Sequence, residues 1–414
     1  MWSQFKHSYF FNENFLLGRP NLLKNGDNYD KALVLVLSCL LCLGLVMVFS
    51  ASAIQNTFEN RFYYLIRQAE FATLGLIAAL ILSYVPLWRW QRWARYLLGL
   101  AILSLIVVLL TGDTVKGAVR WIRLPLGFNF QPSELLKLAT ILYVADFFKR
   151  KVDILHDFHR VKWVAVPIAI AVALVLLTRD LGSAIVVVGL FLALLYLVNM
   201  PMKWFWSAVG IGLWACAVII FSSDFRMRRI SVMWKPWEDP TGTGFQGLGS
   251  LMSLHEGGLW GKGLGNAVVK HGFLPEAHTD FILAVMGEEL GMVAVIALMF
   301  TYLWLIRRAF SIAKQARDLD LHFNFFVGIG IGLWVAAQSF INIGVNISLL
   351  PNKGLTLPLI SYGGTSLFLM MIAFTLLLRV DYENRRVLRG FNVADPRERL
   401  PENTDLTNKG EHHE

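Results

Sequence analysis

The residues of this chain that could do chemistry are the few charged side chains that lie in or beside long apolar blocks. One group holds Arg120, Glu134 and Lys137, with Lys116 just before it. A charge at the centre of a membrane span costs at least about 2.5–3.5 kcal/mol, so such residues are candidates for function. On a helix Glu134 and Lys137 share a face, and an internal ion pair that only fixes packing is one interpretation. The surplus of cations favours the other, a pocket for a phosphate ligand.

Asp280 is the second candidate, on a helix predicted to start near Thr279. On that helix Ala284, Gly287 and Gly291 lie within about 40° of Asp280, and small residues of this kind let a neighbouring helix approach closely. Asp280 is then a carboxylate above a tight contact and could act as a proton acceptor. The alternative is a helix N-cap or a first-turn acid that the helix dipole favours.

Three further groups carry charge beside apolar blocks. Arg179 and Asp180 lie in a predicted tight turn, and their side chains could serve only to satisfy the hydrogen-bonding groups of that turn. Lys353 follows a proline in a Pro- and Gly-rich break, and such a break is tolerated in a membrane only where it lines a cavity or is buried in protein. Arg226 is the first residue of a basic run, and one interpretation of this run is that it binds lipid headgroups and has no other role.

The elements that must position these residues are long apolar segments. The 414 residues are 56% hydrophobic and 16% charged, against about 45–50% and 25% in soluble domains. That balance excludes a disordered chain, a disulfide-rich secreted module and a soluble nucleic-acid binder. We predict an all-α polytopic membrane protein with about ten transmembrane helices, each long enough to cross roughly 30 Å of hydrocarbon. The predicted spans are 32–52, 64–84, 96–111, 133–148, 162–178, 181–198, 203–222, 279–306, 322–349 and 359–379.

Lysine and arginine set the orientation. The side that holds both termini carries about twice as many of them as the other side, so both termini are predicted to be cytoplasmic. The net charge of +9 then serves topology and lipid contact, with no nucleic-acid partner. Residues 1–31 are predicted to form a cytoplasmic segment, 32–379 the transmembrane domain, and 380–414 a cytoplasmic tail. The large extracytoplasmic connection 223–278, between helices 7 and 8, is predicted to hold short amphipathic helices at the outer bilayer face.

Two neighbouring acids and the cysteines have simpler interpretations. Glu288 and Glu289 lie deeper along the same predicted helix as Asp280 and are predicted to lock helices together. The three cysteines all fall inside apolar spans and are interpreted as small packing residues.

The cationic groups and Asp280 all fall at the predicted outer ends of their spans. This shared side suggests an anionic lipid or a lipid-linked ligand held at the outer surface.

Six motifs together resemble the signatures of the SEDS family (shape, elongation, division and sporulation proteins), in the family's order across about 350 residues. They are Lys116-Gly117-Ala118 to Trp121, Gln131-Pro132-Ser133-Glu134, Trp237-Glu238-Asp239-Pro240, Pro275-Glu276-Ala277-His278-Thr279-Asp280-Phe281, Gly287-Glu288-Glu289-Leu290-Gly291 and Pro358 to Gly364. The chain is more similar to the cell-division member than to the elongation member. It departs from the family at Thr178-Arg179, where Gln-Pro is common, and at Phe245, where Tyr is common.

The resemblance implies a fold, an activity and partners. It implies a ten-helix glycosyltransferase that polymerises lipid II into peptidoglycan at the outer face of the bacterial cytoplasmic membrane, enriched at the division septum. The implied partners are a class B penicillin-binding transpeptidase and other membrane proteins of the division complex. The family's essential acid falls on Asp280, and its conserved cationic and polar positions fall on Arg120, Glu134, Lys137 and Lys353.

The chemistry of the residues is consistent with that activity. Glycosyl transfer from a lipid pyrophosphate needs a base for the attacking hydroxyl, and the departing pyrophosphate needs neutralising charge. Asp280 is the predicted base, with Arg120, Lys137 and Lys353 as substrate contacts and Glu134 positioning Lys137. No ligand cluster argues for a divalent cation at Asp280, and the use of such a cation stays open.

The alternative functions are a lipid II flippase, which needs a polar path to the inner leaflet, and a non-catalytic scaffold of the division complex, which needs no buried charge.

The predicted topology is testable with two reporters. A reporter fused after Arg385 should be cytoplasmic, and one inserted near Gly249 should lie outside, as compartment-specific reporter activity measures. Finding both reporters on one side of the membrane would remove the ten-span arrangement.

Overall fold

The computed structural model describes most of the chain. Lys116, Arg226 and Lys353 lie outside the described residues. The described residues are 29–52, 62–115, 118–123, 129–150, 158–198, 201–222, 227–228, 232, 236–240, 242, 244–270, 274–352, 354–391 and 393.

Ten long helices dominate the described part of the chain, and each corresponds to one predicted span. They are α1 (Lys31–Ser52), α2 (Tyr63–Ser83), α3 (Leu87–Thr111), α4 (Pro132–Arg150), α5 (Phe158–Leu177), α6 (Leu181–Leu197), α7 (Met202–Phe221), α9 (Ile282–Asp318), α10 (His322–Asn346) and α11 (Gly364–Leu388). A shorter helix, α8 (Phe245–Glu256), lies in the connection between α7 and α9. The prediction of a helical polytopic protein is confirmed at this level.

One small sheet departs from the all-α prediction. Strands β1 (Asp113–Val115), β2 (Ala118–Arg123) and β3 (Asn129–Phe130) form an antiparallel sheet in the order β1-β2-β3, with Ile122 opposite Phe130. The strands fill the connection between α3 and α4. A pairing of main chain with main chain satisfies amide and carbonyl groups that an irregular loop packed against helices would leave without partners.

Helix α4 lies at the centre of the bundle. Six of the long helices (α1, α2, α3, α9, α10 and α11) are long and apolar enough to span a membrane, and α4 does not pass that test. Its side chains are nevertheless buried from Pro132 to Phe148 with the single exception of Tyr143. The helices that enclose it are α3, α5, α6, α10 and α11. A helix that meets protein rather than lipid can carry polar residues, because neighbouring side chains satisfy them.

Helix α9 is broken near its start. Gly291 has φ 82° and ψ 173°, a conformation that is essentially restricted to glycine. The N–H groups of Lys262 and Gly263 donate to the carbonyls of Glu288 and Glu289, each at 2.9 Å. The N–H groups of α9 just beyond the break donate in turn to the carbonyls of residues 258 and 259. The loop 257–263 therefore completes the hydrogen bonding of α9 across the break.

The side chains of the two acids at the break are buried and paired. Glu289 accepts from Lys270 Nζ at 2.7 Å and from Ser50 Oγ of α1. Glu288 accepts from Ser253 Oγ at 2.9 Å and from main-chain N–H groups of the loop. Both acids have an exposed fraction of 0%. The prediction that they lock helices together is confirmed, because Glu289 joins α9 to Ser50 of α1 and Glu288 joins it to Ser253 of α8; Glu289 also holds Lys270 of the connection that precedes α9.

The loop surface carries one further ion pair. Lys262 donates to the exposed Glu256 carboxylate at 2.8 Å and to Glu288 at 3.3 Å. The hydrogen bond from Lys262 lowers the pKa of the Glu256 carboxyl below its usual value, because the ammonium stabilises the ionised acid.

The bundle end opposite Asp280 is held by ion pairs. Arg308 pairs with Asp30, and Arg385 with Asp381 at 2.8 Å. Asn384 of α11, which has an exposed fraction of 0%, donates from Nδ2 to the carbonyl of Ile312 at 2.9 Å. The Arg308–Asp30 pair joins α9 to the residue before α1, the Arg385–Asp381 pair lies within α11, and the Asn384 bond joins α11 to α9 far from the break.

Gly291→Ala should be strongly destabilising. A Cβ at this position would lie 2.3 Å from the carbonyl oxygen of Leu259, in a backbone conformation that alanine avoids. Strain and overpacking together should lower the free energy of unfolding by about 2–5 kcal/mol. SDS titration of the purified protein measures this. Gly189→Ala in α6 is the matched control, because nothing lies within 4 Å of its added carbon. Equal effects at the two glycines would contradict the broken-helix geometry.

Candidate functional site

Asp280 lies in the turn before α9 and not on the helix. The helix begins at Ile282, and its N-cap residue is Phe281, which makes no side-chain capping bond. The predicted helix start near Thr279 is therefore wrong, and Asp280 is neither the N-cap nor a first-turn acid. Its N–H donates to the carbonyl of Glu276 at 3.2 Å, and its side chain is half-buried. The turn leaves this carboxylate accessible.

The small residues that follow Asp280 do permit a close approach, but the neighbour is the connecting segment. A Cβ on Gly287 would lie 2.5 Å from a methyl carbon of Leu254 on α8, and a Cβ on Gly257 would lie 2.0 Å from the carbonyl of Gly287. Helix α8 thus packs directly on the first turns of α9. The face does not continue to Gly291, because the helix breaks there.

Arg120 is the cation that the structure brings to Asp280. A Cβ built on Gly354 would lie 3.6 Å from Asp280 Oδ2 and 4.0 Å from Arg120 Nη1. Both charged groups therefore face the same point on the main chain at Gly354. Arg120 Nε is buried and has no hydrogen-bond partner among the described residues. A buried guanidinium N–H of this kind is a donor that an anionic oxygen could use.

The turn at Arg179 and Asp180 holds two parts of the site. Arg120 donates from Nη2 to the carbonyl of Arg179, which has a positive φ of 62°. Asp180 caps α6 by accepting from the Ser183 N–H at 3.2 Å. The other oxygen of the same carboxylate accepts from Ser133 Oγ at 2.9 Å, at the start of α4. The turn therefore orients Arg120 in addition to satisfying its own hydrogen-bonding groups.

Glu134 and Lys137 form an ion pair inside the bundle. Lys137 Nζ lies 2.5 Å from Glu134 Oε1, and the two residues are 0% and 3% exposed. The ammonium also lies 5.8 Å from the ring centroid of Trp334, and Ser366 Oγ donates to Glu134 Oε2 at 3.3 Å. The predicted pairing on one helix face is confirmed. The role of Lys137 as a substrate contact stays a prediction, because the side chain is fully enclosed here.

A three-residue segment connects the point that Asp280 and Arg120 face with the Glu134–Lys137 ion pair. Gly354 lies against Asp280 and Arg120, while Thr356 Oγ1 lies 2.8 Å from Ser366 Oγ, the hydroxyl that donates to Glu134. Two residues of chain span at most about 7 Å. The segment 354–356 therefore contacts both the Asp280 side of the site and, through Ser366, the buried pair.

Lys353 precedes Gly354 in the chain and lies outside the described residues, so its predicted substrate contact is untested. Among the residues that the structure describes, no group of three or more His, Cys, Asp or Glu side chains is placed to hold a metal ion. A divalent cation at Asp280 would need oxygen ligands from water or from the substrate, as Mg²⁺ commonly uses.

Sequence reasoning missed two residues that contact Asp280. Asn342 and Asn346 of α10 both donate to its main-chain carbonyl, at 3.2 and 2.9 Å. Gln338, Asn342 and Asn346 follow one another at four-residue intervals in an apolar helix, and Gln338 and Asn342 are 0% and 1% exposed. That spacing places buried amides on one helix face and was the available signal.

These observations define a class of protein: a multi-pass helical membrane protein with a half-buried carboxylate and an arginine facing one point at one end of the bundle. The sequence profile of the FtsW/RodA/SpoVE family, described as "Cell cycle protein", matches residues 30–386. The chain belongs to this family.

Relatives support the assignment over nearly the whole chain. The "Probable peptidoglycan glycosyltransferase FtsW" of Neisseria gonorrhoeae is 41% identical, and the match covers 91% of this chain and 90% of that protein. A protein of the same name from Escherichia coli O6:H1 is 40% identical, with 86% and 87% covered.

Solved structures share the fold. One, described as showing structural coordination of polymerization and crosslinking by a peptidoglycan synthase complex, matches with a TM-score of 0.68 and 29% identity, covering 86% of this chain and 98% of that chain. The crystal structure of the rod shape determining protein RodA of Thermus thermophilus matches with a TM-score of 0.62 and 27% identity, covering 86% and 97%.

Lys137→Met should destabilise the bundle more than the double variant with Glu134→Gln. The single change leaves a buried carboxylate without its cation and should lower the free energy of unfolding by about 3–5 kcal/mol. Replacing both charges should restore much of that loss, as SDS titration measures. Arg67→Gln, in a pair with Glu70 at 3.1 Å that is partly exposed, is the control and should change little. A double variant no more stable than Lys137→Met would argue against a buried pair.

Proposed function

We infer that the chain is a peptidoglycan glycosyltransferase, and we propose that it polymerises lipid II into glycan strands. The activity named for relatives about 40% identical along most of the chain supports the enzyme class. The observation that carries the reaction is the placement of Asp280 Oδ2 and Arg120 Nη1 against the same point at Gly354. A carboxylate and a guanidinium that face one point provide a proton acceptor and an anion contact for one reacting centre.

Asp280 acts as the general base in this proposal. A growing strand is extended when a sugar hydroxyl attacks the anomeric carbon of a lipid-linked sugar, and the hydroxyl must lose its proton as the new C–O bond forms. The bond from the anomeric carbon to the pyrophosphate breaks in the same reaction. Asp280 takes the proton, and its half-buried position in a turn lets a hydroxyl reach it.

The cations neutralise the charge that develops on the leaving pyrophosphate. This group leaves as an anion, so charge neutralisation replaces the protonated acid that a glycosidase uses. Arg120 is held by the carbonyl of Arg179, and its Nη1, which faces Gly354, is the proposed contact for a phosphate oxygen. Lys353 is the second proposed contact. The buried Glu134–Lys137 pair contacts the segment that lines the site, because Ser366 hydrogen-bonds both to Glu134 and to Thr356.

The proposed partners follow from the same comparisons. A fold match to a structure of a synthase complex that polymerises and crosslinks supports a transpeptidase partner for this chain. We propose a class B penicillin-binding transpeptidase, together with other membrane proteins of the division complex. We propose that the protein is enriched at the division septum of the cytoplasmic membrane, with lipid II bound at the outer face.

Asp280→Asn is the decisive variant. It keeps the shape and the main-chain contacts of the turn but removes basicity, so polymerisation should fall by about 10²- to 10⁴-fold. The measurement is glycan formation from lipid II by purified protein, alone and with a transpeptidase partner, beside melting temperature and membrane level. A folded Asp280→Asn protein that makes glycan at the normal rate would end the assignment.

Glu276→Gln is the matched control for that experiment. Glu276 lies in the same turn, is half-buried, and accepts from the Thr279 hydroxyl at 3.2 Å, so the change has the same chemistry four residues away. Its polymerisation rate should stay near that of the unaltered protein. A flippase would instead lose lipid II transport in vesicles on Asp280→Asn, and a scaffold would lose neither activity.

A further inference from the structure

The turn that carries Asp280 is fixed by two buried asparagines of α10. Asn342 Nδ2 donates to the Asp280 carbonyl at 3.2 Å, and Asn346 Nδ2 donates to the same oxygen at 2.9 Å. The two residues are 1% and 0% exposed and lie one helical turn apart. One carbonyl oxygen has two lone pairs, so this pair of donors uses its full accepting capacity.

Asn346 also fixes the start of α9. Its Oδ1 accepts from the N–H of Ala284 in the first turn of α9 at 3.0 Å, and the same N–H also donates to the carbonyl of Phe281 at 3.0 Å. The capping bond that a local side chain usually makes is therefore supplied from α10. Because Oδ1 and Nδ2 of Asn346 each have a defined partner, the orientation of the amide is determined by its contacts.

Asn342 holds the opposite wall of the site. Its Nδ2 donates to the carbonyl of Leu355 at 2.8 Å as well as to that of Asp280. Leu355 directly follows Gly354, the residue that faces Asp280 Oδ2 and Arg120 Nη1. One amide group therefore sets the distance between the turn that carries the carboxylate and the segment that lines the other side of the site.

We propose that Asn342 and Asn346 are positioning residues for Asp280, acting on its main chain and not on the reacting atoms. The proposal depends on the proposed role of Asp280 as the base. The carboxylate is attached to a turn outside regular secondary structure, and the donors of α10 are the contacts that fix that turn's carbonyl. A displacement of about 1 Å at a reacting group can cost about 10²-fold in rate.

The first measurement is the kinetics of Asn342→Ala. The turn of Asp280 should shift relative to the segment at Leu355, while the bond from Arg120 to the Arg179 carbonyl does not involve Asn342 and should persist, so kcat for polymerisation of lipid II should fall by about 10- to 100-fold, with KM within about threefold of the unaltered protein. Asn384→Ala is the matched control. It removes a buried asparagine that also donates to a main-chain carbonyl, at the other end of the bundle. This control should lose melting temperature but retain kcat.

The second measurement combines Asn342→Ala with Asp280→Asn. If Asn342 acts through the base, the double variant should be no slower than Asp280→Asn alone. A further tenfold loss in the double variant would overturn the proposal, since Asn342 would then serve something else. Full activity of Asp280→Asn would instead refute the proposed base, whatever Asn342→Ala does. An unaltered kcat in Asn342→Ala, with Asp280→Asn inactive, would refute the positioning role alone.

Asn342→Ser keeps the test valid if the alanine variant does not fold. A serine hydroxyl in a helix satisfies itself by donating to the carbonyl four residues earlier, so the buried position carries no orphaned donor. Serine is too short to retain the contacts with Asp280 and Leu355 together. The expected result is a melting temperature near that of the unaltered protein with the same loss of kcat, and retention of kcat would contradict the proposal.

Discussion

The ion pair between Glu134 and Lys137 at the centre of the bundle is the interaction on which the rest of the arrangement depends. A helix with these charges is excluded from lipid contact, so α4 must be enclosed by other helices, and α3, α5, α6, α10 and α11 enclose it. That enclosure brings the connection after α3, the turn before α6 and the segment before α11 to the same end of the bundle. The polar contacts of the site form where these connections meet the turn of Asp280.

The helices could be predicted from the sequence because length and apolarity alone define a segment able to cross a bilayer. The small sheet could not, since its strands are two to six residues long and form only because the connection must satisfy its own main chain. The start of α9 was misplaced for a related reason. Thr279 and Asp280 look like local caps, but the cap comes from Asn346, 62 residues away in sequence from Ala284.

The charged residues of the site could be found because a charge in an apolar block is rare and costly. Their neighbours could not be paired from sequence alone. Arg120 donates to the carbonyl of Arg179, which lies 59 residues further along the chain. Every residue has a main-chain carbonyl, so the residue types in the sequence do not indicate this contact. The asparagines of α10 are neutral and give a weaker signal in an apolar helix. The depth of Lys137 was also hidden, because helical spacing gives the face of a residue but not what covers it.

The broken start of α9 has a consequence for the order in which the protein assembles. Four main-chain groups at the break, the carbonyls of Glu288 and Glu289 and the N–H groups of Met292 and Val293, find their partners in residues 258–263. A free polar main-chain group in hydrocarbon costs several kcal/mol, so α9 cannot enter the bilayer as one finished rod. During synthesis the loop leaves the ribosome before the helix. The hydrogen bonding of α9 is therefore complete only when the loop 258–263 has packed beside it. The turns of α9 at the break become stable at that point and not before.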